Sequence, residues 1–322
     1  MIYKEVIYMR NKNVLKKYTE MRIGDMISRL SVNNDIKIKV FIEEESGQIN
    51  SGVKLADDKN YNYVMAPNIA NINRVDDFVF TIFEGTAPEN EIAREEFYKK
   101  VSWDFNLSLY TEECKRIWSK IIDCLCIDYI TLHECGHILN GHLELNRDKK
   151  LDDLDRKTLE MDADAFSINR LWEILNSEGM KNLNIVLNKQ HALWLGFIAI
   201  TIVNSLNGMG NKNINQYSNY YLPKKLRWYI DLVTLYQLYR DIDSIYPSVD
   251  YIEIDDIFIG ATTIEEAVYN YMIACGVSED DLNINNFSSD ISKVDEYNTL
   301  CLHWKNHIRS QLMPYSKIDL AE

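Results

Sequence analysis

The sequence predicts a mostly helical α+β protein, with a small antiparallel sheet in residues 1–100 packed on a helical region, 101–322. Three observations predict this. From Ile36 to Ile42 the apolar side chains fall at every second position, the period of a half-buried strand. From Thr111 to Leu139 they recur at spacings of three and four, the signature of a long helix with a wide apolar face. From Ala192 to Val203 the chain is almost wholly apolar. The two regions form either separate units or one continuous domain.

Ile36, Ile38, Val40 and Ile42 make the first strand, and Glu45-Ser46-Gly47 and Asn50-Ser51-Gly52 then read as turns. Tyr61–Met65 and Phe78–Phe83 are two further strands, the second rich in aromatic and β-branched types, with Gly85 to Pro88 ending it. Thr111 caps the long helix, Glu112 and Glu113 occupy its first turn, and Asn140-Gly141 stops it. Asp123 and Asp128 fall off its apolar stripe, as a solvated side requires. A charged loop is expected over Asn146–Lys157, then a helix from about Arg156 to Asn176 that ends near Gly179. Later helices are expected over 188–207, 222–241, 262–274 and 290–311.

The 322 residues carry 49 acidic and 35 basic side chains, a net charge of −14. This balance excludes a nucleic-acid binder, which needs a basic face, and disfavours binding to anionic membranes. The apolar stretch near 192–203 is shorter than the ~20 residues that span a bilayer, so it reads as a buried core helix. The start, Met1-Ile2-Tyr3-Lys4-Glu5, lacks the apolar run of a secretory signal. Six unevenly placed cysteines fit a reduced, cytoplasmic chain. Cys124-Leu125-Cys126 lacks C-x-x-C spacing and reads as ordinary buried thiols.

Chemistry concentrates on the long helix, at His133-Glu134-Cys135-Gly136-His137. Residues four apart share a helix face, so both imidazoles can reach one ion, and Glu134 projects beside it where it can take a proton from water. A catalytic zinc site needs three protein ligands and an open position. Glu160, 23 residues beyond His137 on the next expected helix, supplies the third. Asp164, one turn further, is placed to accept the spare N–H of a ligand histidine and so orient its ring. Ala163 is small, as close packing of the two helices requires, and Cys135 falls on the side away from the metal.

The string H-E-x-x-H followed by E-x-x-A-D resembles the glutamate-zincin metallopeptidases. Over His133–His142 (HECGHILNGH) and Glu160–Phe166 (EMDADAF) the chain most resembles the Lit-type phage-exclusion peptidases of bacteria, and it is similar to the peptidases that cleave phage-type repressors. The resemblance spans about residues 111–230. It implies a zincin-like helical core and one Zn2+ per chain, held by His133, His137 and Glu160 with Glu134 as general base. It also implies a cytoplasmic endopeptidase that acts on a protein or peptide, in the first group a host translation factor cut during infection. A repressor-cleaving peptidase is the neighbouring reading. A zinc-stabilised sensor or scaffold is the non-enzymatic one, and Glu134 speaks against it, because a structural site needs no base.

A peptidase also needs a donor for the developing oxyanion. His142, His191, Tyr220, Tyr221 and Arg227 are the candidates, three of them from a basic aromatic stretch in an otherwise acidic chain. The Phe78–Phe83 strand is expected at the cleft rim, where it can pair with substrate backbone. His303 and His307 are four apart, but no acidic partner is evident nearby and Trp304, Lys305 and Asn306 read as a surface helix.

Overall fold

The computed structural model describes residues 12–30, 36–40, 52–66, 69–83, 112–183, 188–208, 224–241, 245–247, 252–276 and 291–320. The protein is mostly helical with one small sheet, the expected α+β class. In chain order come α1 (Lys12–Leu30), β1 (Ile38–Val40), β2 (Gly52–Leu55), β3 (Tyr63–Ala66) and α2 (Ile69–Phe83). Then follow α3 (Glu112–Leu139), α4 (His142–Asp148), α5 (Asp153–Leu175), α6 (Glu178–Lys181) and α7 (Lys189–Gly208). Last come α8 (Lys224–Asp241), α9 (Ile254–Ala274), α10 (Ile291–His303), a π-helical turn (Trp304–Ile308) and α11 (Arg309–Leu312). No helix among the described residues is long and apolar enough to cross a membrane, and α7 lies in the core with Leu193, Leu195, Phe197 and Ile200 fully buried.

The sheet is mixed rather than antiparallel. Its order is β1-β3-β2, with β2 antiparallel to β3 (Val53 opposite Met65) and β1 parallel to it (Ile38 opposite Tyr63). Alternation marks which residues lie in strands and carries no information about which strands pair or in what direction. Tyr63 and Met65 send their side chains from β3 into the core.

Phe78–Phe83 is not a strand but the last part of α2. Ile72, Val75, Phe78 and Val79 are buried at helical spacing, and their packing on α3 outweighs a local preference of aromatic and β-branched residues for strands. A substrate-pairing edge at these residues is thereby excluded. Helix α1 had no apolar signature because its buried face, Tyr18, Thr19, Arg22, Ile23 and Met26, includes two polar residues. Arg22 and the Tyr18 hydroxyl find a partner on α3. Asp128, buried rather than solvated, accepts from Arg22 Nε (2.8 Å), Arg22 Nη2 (3.1 Å) and Tyr18 Oη (3.0 Å). Asp123 is likewise buried, bonded to Lys120 Nζ at 3.0 Å, which also reaches Asp76 of α2 at 2.8 Å. So α3 has no solvated side over this stretch; Asp128 is satisfied from α1, and Asp123 by Lys120 one turn before it on the same helix.

Helix α3 is the spine, and it packs most extensively on α5. It stops where expected, at Gly141, whose φ of +84° is the left-handed conformation that glycine adopts freely. The expected charged loop is mostly helix: α4 starts at His142, and α5 starts at Asp153 behind a capping box. In that box Asp152 and Asp155 accept each other's backbone N–H groups, satisfying two otherwise orphaned donors. Helix α9 begins at 254 rather than 262, and the segment expected as one helix over 290–311 is interrupted by the π turn.

Two apolar clusters meet along α5. Phe166, Ile168, Leu171 and Trp172 face the main core with α3 and α7. Leu159 and Met161 face a second cluster built with Leu226, Leu300, Trp304 and Leu312. Glu160 and Asp164 lie where α5 passes between the two. Cys124, Cys126 and Cys135 are buried free thiols, as ordinary core residues would be.

Candidate metal centre

The close approach of α3 and α5 is set by small residues. A Cβ added to Gly136 would stand 3.2 Å from the Cα of Ala163, and Ala163 is itself fully buried. This brings the last turns of α3 within side-chain reach of Glu160 and Asp164. His133 Nε2 and His137 Nε2 are 3.1 Å apart. The Glu160 carboxylate lies 3.5 Å from the first through Oε2 and 3.6 Å from the second through Oε1. Donors bound tetrahedrally at ~2.1 Å to one zinc ion stand about 3.4 Å from each other, so the three groups already have the spacing that such an ion imposes. Among the described residues no fourth His, Cys, Asp or Glu joins this group.

The protons of both rings can be placed from their outer partners. His133 Nδ1 lies 2.7 Å from Asp164 Oδ1, so it carries a hydrogen and leaves the Nε2 lone pair facing Glu160. Asp164 is fully buried and takes a second bond from Arg227 Nη2 at 2.5 Å. The 3.2 Å approach of Arg227 Nη2 to His133 Nδ1 is thus two donors sharing one acceptor. On the other side Asp162 Oδ2 accepts from His142 Nε2 (2.9 Å) and Asn140 Nδ2 (2.5 Å). That leaves His142 Nδ1 to accept from His137 Nδ1 at 2.9 Å, and His137 Nε2 without a proton. Two bare imidazole nitrogens and a carboxylate oxygen therefore converge on one point. Such an arrangement repels itself unless a cation, or a proton, occupies the centre.

With no cation at the centre, the electrostatics place that proton on His133. Burial by itself would lower the pKa of His133, but the Asp164 carboxylate outweighs it and pushes it up to about 10. Burial drives His137 well below the ordinary imidazole range. Glu160 is lowered to about 2: burial opposes ionisation, and His137 and His133 overcome it. Glu134 goes the other way, raised to about 7 chiefly by burial. A carboxylate with such a value sits in the range suited to exchanging protons at neutral pH.

The structure thus brings together His133, His137, Glu160, Asp164, His142 and Arg227, with Glu134 buried between the two histidines in sequence. Of the oxyanion candidates, His142 is bonded to the His137 ring and Asp162, and Arg227 Nη2 is engaged with Asp164. His191 is buried on α7, outside the group, with its backbone N–H on Asn188 Oδ1. Tyr220 and Tyr221 lie outside the described residues. Sequence reasoning missed Asp162. It falls on a different face of α5 from Glu160 and Asp164, and its role shows only once α4 turns His142 back toward it. The position of His142, directly after the helix-ending glycine, was the available signal.

No known family model, curated protein or solved structure matches the chain. The donor set and its surroundings are what speak for the chemistry.

The reading of His303 and His307 needs correction. An acidic partner is present: Asp155 Oδ1 lies 2.8 Å from His303 Nε2 and 3.8 Å from His307 Nε2.

Proposed function

We propose that the protein is a zinc-dependent endopeptidase that hydrolyses peptide bonds of an intracellular protein. The observation that carries this reading is the convergence of the Nε2 atoms of two imidazoles and a carboxylate beside a buried glutamate of raised pKa. His133, His137 and Glu160 would hold the ion, leaving a fourth position for water, as catalytic sites do and closed structural sites do not. Zinc bound there supplies Lewis acidity and lowers the pKa of water toward ~7. Glu134 then takes a proton from the attacking water and returns it to the leaving amine. Asp164 and the Asp162–His142 pair keep the two ligand rings in the tautomer that presents Nε2, and Arg227 fixes the position of Asp164. A host factor cut during phage infection is the substrate class that the motif resemblance supports.

The test compares the wild type with Glu134→Gln by cataloguing new protein termini in cells that express each. Glu134→Gln is expected to keep its zinc and to lower cleavage by about 10²–10⁴-fold. Equal cleavage by both would remove Glu134 as the base. Retention of full activity after dialysis against a chelator would remove the metal from the reaction.

A further inference from the structure

Outside this centre, one other group of potential ligands is brought together among the described residues: Asp155 at the start of α5 and His303 and His307 around the π turn. We propose that these three form a second metal site, for a divalent ion of borderline softness such as zinc, cobalt or nickel.

The carboxylate is held in place before any ion arrives. Its Oδ2 accepts the backbone N–H of Asp152 at 3.0 Å, which leaves Oδ1 aimed at the histidines. His303 Nε2 is 2.8 Å and His307 Nε2 3.8 Å from that oxygen, a range that brackets the ~3.4 Å between donors on a tetrahedral ion. The two rings stand 4.9 Å apart, tilted by 36°. Gln311 donates its amide N–H to His307 Nε2 at 2.9 Å, which marks that nitrogen as carrying a lone pair. Two nitrogens and one oxygen are the donor set of borderline ions rather than of calcium or magnesium.

The backbone supplies an independent sign. The turn Trp304–Ile308 is π-helical, a rare geometry that costs hydrogen-bond regularity and recurs at functional positions. Here it keeps Trp304 and Ile308 in the second apolar cluster while His303 and His307 both face Asp155. His307 is 56 % exposed, so an ion can enter from solvent. An ion bound there ties the π turn to the helix that carries Glu160, five residues further along α5. This site does not depend on the peptidase reading.

The experiment measures zinc per chain in the full-length protein by atomic emission, after loading and removal of free metal. Two equivalents are expected for the wild type, one for His307→Ala, one for His137→Ala and none for the double variant. His307 is largely exposed, so its replacement leaves the packing intact. A wild-type readout guards against misfolding: zinc should shield His307 from carbethoxylation, scored by peptide mass. The proposal is overturned if His307→Ala binds as much zinc as the wild type or if zinc leaves His307 fully reactive. Loss of the equivalent that depends on His137, by contrast, bears only on the first centre.

Discussion

At the scale of single residues, Asp162 is the side chain on which the geometry places an untested burden. It does not touch His137, yet it sets the proton positions along Asp162–His142–His137. Asp162→Ala is expected to weaken zinc binding about 10–100-fold, read by competition with a coloured chelator. Asp162→Asn still offers an oxygen to His142 and should recover most of that loss, which a merely structural role would not predict. The candidate site residues were legible because helical periodicity converts sequence spacing directly into a shared face: His133 with His137, Glu160 with Asp164. Asp162 was not, because its partner reaches it only after the chain has turned through Gly141.

At the scale of elements, the same contrast decides what the pattern revealed. Helix α3 was readable because Ile121, Ile122, Leu125 and Tyr129 are apolar and buried together. Its two aspartates read as solvated because a buried carboxylate is recognisable only through its surroundings: Arg22 reaches Asp128 from α1, and the Lys120–Asp123 pair is enclosed by α2 through Asp76, neither of which periodicity reveals. Helix α2 reads as a strand because six aromatic and β-branched residues in a row fit one locally, whereas its own four buried positions, Ile72, Val75, Phe78 and Val79, packed against α3, fix the helix. The end of α3 gives a sharp test. A Cβ on Gly141 would stand 2.6 Å from the backbone of Tyr315, and the residue already holds φ +84°. Gly141→Ala is therefore expected to destabilise the fold by about 2–4 kcal/mol, from backbone strain plus overpacking, measured by urea denaturation. A change within error would mean that Tyr315 does not sit against this turn in solution.

At the scale of the whole molecule, a chain of charge −14 conceals a few carboxylates that are not solvated at all. Asp231 is fully buried beneath the centre, accepting from Tyr129 Oη at 2.8 Å and Asn204 Nδ2 at 2.7 Å. Burial, reinforced by Asp164, raises its pKa to about 8. An unfolded aspartate titrates near ~3.9, so between these values the folded state holds a proton that the unfolded state has released. Its contribution to stability is complete below ~3.9 and is lost as pH rises toward 8. Asp231→Asn removes that slope, so its urea midpoint should fall less than the wild type's between pH 5.5 and 8 at equal metal content. Parallel curves for the two proteins would refute the assignment.

The turn at Gly141 has one more consequence, in the time domain. The carbonyl of Leu139, on the final turn of the helix bearing His133 and His137, accepts the backbone N–H of Lys317 at 2.8 Å, and Ser316 Oγ reaches it across 177 residues of chain. Lys317 Nζ also holds Glu144, which takes the hydroxyl of Tyr63. A nascent chain on the ribosome thus carries both histidines and Glu160 long before it carries the segment that fastens the helix bearing them. Protection of α3 against proteolysis should accordingly appear in stalled nascent chains only after residue 317 has emerged, and a centre wired in this order remains unfinished throughout the translation of its own chain.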